Sequence, residues 1–119
     1  MQFVFVIHQG AYPLPGTPEW STLSAEDARS AYTGWAAINK MSNVEGGPPL
    51  GLPKDATTVR VQDGATVRTA GPFLDATSAV GGFMLVEAAD LDEAVEVAAR
   101  IPQARLGGAV EVRVPAKYW

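Results

Sequence analysis

From Phe3 to His8 the chain is apolar on both alternating faces, with Phe3, Phe5 and Ile7 on one and Val4 and Val6 on the other. A strand of that pattern belongs in the middle of a sheet, covered on both sides. His8 continues the Val4/Val6 face at the strand's C-terminal end. The loop from Gly10 to Pro18 holds three prolines and two glycines in nine residues, which fix its path and forbid regular structure. Helical periodicity begins after Ser24, a predicted N-cap with Asp27 three residues on. Ala28, Tyr32, Trp35 and Ile38 make its apolar stripe, and Gly46-Gly47-Pro48-Pro49 stops any helix that continues past Asn43.

Two β-rich runs then flank Asp63 and Gly64. A three-residue Asp63-Gly64-Ala65 loop, which pairs Val61 with Val67 and Arg60 with Arg68, keeps each hairpin face uniform and is the preferred register. It sets two arginines side by side, an arrangement that calls for solvent, a carboxylate or a bound anion to offset the repulsion. Gly82 to Glu87 is a second strongly apolar strand, with Gly81 and Gly82 permitting close backbone approach at its entry. Asp90 caps the clearest helix, whose expected buried stripe is Leu91, Ala94, Val95, Ala98 and Ile101, with Pro102 at its end. A short strand alternating Val110, Val112 and Val114 against Glu111 and Arg113 closes the chain.

The order is β, α, two or three β, α, β, the split βαβ pattern of a ferredoxin-like α+β sandwich with an antiparallel sheet and both helices on one face. The uncovered face needs another layer. A second copy packed face to face supplies it, so a homodimer with a shared interior pocket is expected. Residues 1–119 read as a single domain, with 115–119 a C-terminal tail because Pro115 cannot donate a ladder hydrogen bond. Tyr118 and Trp119 are expected to fold across the partner's surface.

Charge and composition narrow the function. The formal net charge of −4 and nine scattered basic residues argue against nucleic acid as a partner. The chain has no cysteine, hence no disulfide, thiol nucleophile or thiolate metal site, which suits a reducing compartment. No segment reaches the length of a membrane span, and the apolar start is too short for a secretory signal, so a cytoplasmic protein is the expectation. A lone histidine without recurring carboxylate spacing speaks against a metal site, and no phosphate-cradling or dinucleotide motif is present, so no cofactor is expected.

Histidine is the residue type that titrates near neutral pH, and His8 is the only one. It is the candidate general base. Glu87, at the end of the strand expected beside the first, and Asp75 are the candidate carboxylates to orient it, with Asp90 a third choice that helix capping explains more simply. Tyr12, Arg68 and Phe73 are the candidate ligand-binding residues. Two readings follow: a small cofactor-independent lyase or isomerase acting on a small organic acid through His8, or a non-catalytic small-molecule-binding or regulatory interaction module.

Several motifs taken together resemble the YCII-related domain family, and its "DGPF" branch in particular. They are ATTVR at 56–60, GPF at 71–73, GGF at 81–83 followed by Glu87, DLDEA at 90–94, Pro102 and VEVR at 110–113. The resemblance implies a ferredoxin-like fold assembled as a dimeric α+β barrel, with a cleft near the first strand. It also implies kinship with a wider group that includes a lyase removing chloride from a ring lactone, for which a histidine–aspartate pair has been proposed as catalytic core. Here Ala70 stands where the branch has aspartate before Gly-Pro-Phe. Asp75, Ala76, Thr77 and Ser78 replace an acidic residue followed by Thr-Lys-Glu, and Val114 replaces the usual arginine before proline. The turn therefore shapes the rim of a cleft and presents little charge to it.

Overall fold

The computed structural model describes residues 1–118; Trp119 lies outside the described residues, and with it half of the expectation about the aromatic tail. Among the described residues, six strands and three α-helices run in the order β1 (Gln2–His8), α1 (Ala25–Asn39), β2 (Val44–Gly46), β3 (Thr57–Gln62), β4 (Ala65–Ala70), β5 (Val80–Glu87), α2 (Leu91–Ala99), α3 (Pro102–Arg105) and β6 (Ala109–Arg113). The main sheet has the order β2-β5-β1-β6, with every neighbouring pair antiparallel. This is the ferredoxin-like arrangement: β1 and β5 sit in the centre, and each α-helical connection skips over one strand.

β1 is central because both its faces are apolar, as its sequence predicts. Phe3, Phe5 and Ile7 are buried, and Val4 and Val6 are half-buried. Phe3, Phe5, Met84 and Val86 from the two central strands meet Ile38, Ala94, Val97, Ala98 and Ile101 from the helical side in one core. Ser24 Oγ accepts from the Asp27 amide at 3.0 Å, and Asp90 Oδ1 accepts from the Glu93 amide at 2.9 Å, so both predicted caps form. Glu93 reaches back in turn to accept from the Ala89 amide.

Three details differ from the sequence reading. β2 is a three-residue strand just before the Gly-Pro-rich stop at 46–49, where no strand was expected, and it takes the sheet position the hairpin was expected to fill. The hairpin β3–β4 forms a two-stranded sheet of its own. Its register pairs Arg60 with Val67, Val59 with Arg68 and Val61 with Thr66, so the loop is the two-residue Asp63-Gly64 turn and the arginines are not side by side. The turn geometry decides this: Asp63 at φ 52° and Gly64 at φ 78° make the left-handed pair that matches the twist of a tight hairpin. Since this hairpin has no core face to keep uniform, the argument from face matching has no force.

The helical stripes are also rotated from expectation. On α1 the buried residues are Ala31 and Ile38, while Tyr32 is exposed, because Gly34 lets the helix settle against Pro102 of α3. On α2, Ala94, Val97 and Ala98 face the core, and Leu91 and Val95 are exposed. Positions 94, 97, 98 and 101 already fill the i, i+3, i+4, i+7 face that one sheet can cover. β6 ends at Arg113, so regular pairing stops just before Pro115, and Tyr118 is 83% exposed in the single chain.

Candidate functional site

Strand pairing decides what His8 meets. β1 and β6 are antiparallel, with Val6 opposite Glu111 and His8 opposite Ala109. His8 and Glu111 are therefore diagonal neighbours on the same sheet face, within reach of long side chains. His8 Nε2 lies 3.2 Å from Glu111 Oε2, with the two side chains 31% and 51% exposed. A carboxylate oxygen only accepts, so this bond places the imidazole proton on Nε2 and leaves the Nδ1 lone pair unengaged by Glu111. The other carboxylate oxygen, Oε1, is 3.7 Å from Arg113 Nη1. The face carrying this trio is the one away from the helices, where Val4 and Val6 lie opposite Leu85 and Phe83.

The residues singled out from sequence are scattered by comparison. Glu87 pairs with Gln2 and His8 with Val80, so antiparallel β1–β5 pairing puts Glu87 at the far end of β1 from His8. That end is about 20 Å away at strand rise. Within one chain Glu87 does not orient His8; instead it accepts from the N-terminal amine at 3.2 Å. Asp75 is exposed and makes no ion pair among the described residues, and its backbone oxygen accepts from the Ser78 amide. Arg68 is exposed on β4, and Phe73 is 70% exposed beneath the guanidinium of Arg60, 5.7 Å from the ring centroid. Arg60, not Arg68, is the arginine in contact with the Gly-Pro-Phe turn. Asp90 is spent on its helix cap.

Tyr12 alone of the ligand-binding candidates is buried. Its ring meets Trp20 edge-on at 6.5 Å, and Trp20 meets Tyr32 at 5.6 Å. Burial pushes the Tyr12 hydroxyl above its ordinary value, and a hydrogen bond with Trp35 works against that shift. Tyr12 lines a cavity of about 380 Å³ on the helical side of the sheet.

Among the described residues no group of three or more His, Cys, Asp or Glu is placed to hold a metal ion, and no helix is long and apolar enough to cross a membrane. The model of the YCII-related domain family matches residues 17–116. The chain belongs to this family. No curated protein matches it. The matched part of this YCII-related domain begins after β1, so it takes in Glu111 and the Gly71-Pro72-Phe73 turn but not His8.

Sequence reasoning missed Glu111, although the alternation of Val110 and Val112 against Glu111 and Arg113 puts both charged residues on one face of β6. The missing step was the sheet order. Once β6 is placed beside β1, register alone brings Glu111 to His8.

Proposed function

We propose that this YCII-related domain is a small cofactor-independent enzyme of lyase or isomerase type, acting on a small organic acid with His8 as the proton-transfer group. The observation that carries the reading is the 3.2 Å bond from His8 Nε2 to Glu111. A histidine held by a carboxylate has its tautomer and ring orientation fixed, which a general base needs. In this reading Nδ1 takes a proton from a carbon beside the substrate's carbonyl or carboxylate group. An isomerase returns that proton to a neighbouring carbon. A lyase lets the freed electron pair expel a leaving group, and the imidazolium then gives its proton to solvent. Arg113, beside Glu111, suits the anionic group of the substrate.

The reading includes an assembly. Val4, Val6, Phe83 and Leu85 form an apolar strip next to the trio. A second copy packed on this face, as in a dimeric α+β barrel, turns an open surface into a water-poor interior in which proton transfer is favoured. The Gly71-Pro72-Phe73 turn supports membership of the DGPF branch, with Ala70 as its departure, and the lack of cysteine suits the cytoplasm.

The test is turnover of a panel of small organic acids and lactones by the wild type, His8→Gln and Glu111→Gln. His8→Gln should lower kcat/KM by about 10²–10⁴-fold and Glu111→Gln by less, with sedimentation unchanged. Full turnover in His8→Gln refutes His8 as the proton-transfer group, whereas no turnover in the wild type leaves a non-catalytic binding or interaction module as the reading.

A further inference from the structure

The strand registers line up four residues straight across the main sheet. Glu45 on β2 lies opposite Leu85 on β5, Leu85 opposite Val4 on β1, and Val4 opposite Arg113 on β6. All four fall on the face away from the helices, because their neighbours along the strands, Val44, Phe3, Phe5, Val86 and Val112, face the core. The row is acidic at one edge of the sheet, basic at the other and apolar between. Its ends are three strand spacings apart, about 14 Å. Glu45 is exposed and makes no ion pair among the described residues, while Arg113 makes a single one, 3.7 Å from Glu111.

Such a row is complementary to a second copy of itself. Two sheets packed face to face keep their strands within about 30° of one another and lie about 10 Å apart, within reach of long side chains at their edges. A two-fold axis running along the strands, between β5 and β1, lays β5 on the partner's β1 and β2 on the partner's β6. Leu85 then rests on the partner's Val4 and Glu45 meets the partner's Arg113, each contact occurring twice. An axis across the strands instead lays β2 on β2 and β6 on β6. It gives Glu45 no cation, since β2 has no basic residue, and it sets Arg113 against a second Arg113 or against Glu111, its neighbour already. Opposite charges at the two edges favour the first arrangement.

We propose that a second copy docks on this face about a two-fold axis parallel to the strands, with Glu45 of each subunit paired with Arg113 of the other. The inference rests on the assembly in the proposed function and supplies its register. Because Arg113 adjoins Glu111, the partner's Glu45 stands at the border of the His8 site, so each site is bounded by residues of both copies.

Charge reversal reads the register directly. In Glu45→Arg two arginines meet at each end of the interface, and in Arg113→Glu two glutamates do. Each variant alone should dimerise about 10–100-fold more weakly than the wild type by sedimentation, and raising the salt concentration should narrow the gap. Mixed one to one, the two variants should form a heterodimer of near wild-type affinity, because every arginine at its edges then faces a glutamate. Rescue on mixing also shows that both variants fold. Unchanged dimerisation of Glu45→Arg overturns the proposal and leaves the assembly standing in another register, and failure of the two variants to rescue each other overturns the pairing of these residues. A wild type that sediments as a monomer overturns the register and the assembly together. Turnover by His8 enters none of these readouts, so its presence or absence is judged separately.

Discussion

Tyr12 and His8 are four residues apart, yet the chain sends them to opposite sides of the sheet. The loop between them achieves this through Gln9, whose amide donates to the Ala79 carbonyl and whose carbonyl accepts from the Tyr12 amide. The Gln9 side chain lies close over Gly81: a Cβ at that position would come within 2.6 Å of Gln9 Oε1, so the glutamine amide would have to shift. The β1–β5 register slips at the same point, with Ile7 opposite Gly82 and His8 opposite Val80. Close approach at Gly81 is thus what the sequence reading expected of that glycine pair. Tyr12 also carries a prediction. Because burial raises its hydroxyl pKa above the ordinary value near 10, folding favours the neutral phenol. The stabilisation is fully present below the unfolded pKa of about 10 and is lost as pH rises through the folded value. Melting temperature followed from about pH 9 to 11.5 should fall less steeply in Tyr12→Phe than in the wild type, the other titrating groups being common to both. Superimposable slopes would show that the phenol is not desolvated.

The elements differ in how far their sequences determine them. β1, β5 and the two capped helices are legible because apolar periodicity, caps and stop signals all agree there, and local and tertiary preference coincide. β2 is not, since three residues ending in Gly46 carry no periodicity, and pairing with Val86, Leu85 and Met84 makes it a strand. The rotation of the α1 stripe was equally hidden, because Gly34 against Pro102 is a contact between distant segments. The carboxylate at His8 failed to appear for the same reason: it depends on which strand lies beside β1. The hairpin is the opposite case, misread although its signal is local. Asp63-Gly64 is a strong two-residue turn signal, and face matching outweighed it in the reading but not in the molecule. Gly64 at φ 78° has open space around its Cβ position, so Gly64→Ala adds only backbone strain. The expected cost is about 1 kcal/mol, read as a lower denaturation midpoint with an unchanged slope. A midpoint equal to the wild type would show that the hairpin is not part of the cooperative unit.

The chain as a whole is flat, measuring 47 × 43 × 19 Å with a radius of gyration of 16.0 Å. A compact chain of this length would have about 13.5 Å. The thin dimension is that of two layers, one of helices and one of sheet, with no further layer on the far side among the described residues. That far side is where Val4, Val6, Leu85 and Phe83 lie, half-buried or exposed, and where the His8–Glu111 pair stands open to solvent. The hairpin adds further exposed apolar surface at Val59 and Val61, and the turn after it adds Phe73. A monomer seldom leaves so much apolar area uncovered across adjoining strands, so a second copy on the open face is the expected completion. Leu85 tests this without touching the dyad or the aromatic cavity, since it lies opposite Val4 and next to Glu45. Leu85→Asp places a carboxylate in the middle of the strip, where pairing of two faces would bury it without a partner. Sedimentation at low micromolar concentration should give a dimer for the wild type and a 12.5 kDa species for the variant, with far-ultraviolet circular dichroism unchanged. If the wild type already sediments as a monomer, the open face has some other role and His8 works, if at all, in contact with bulk water.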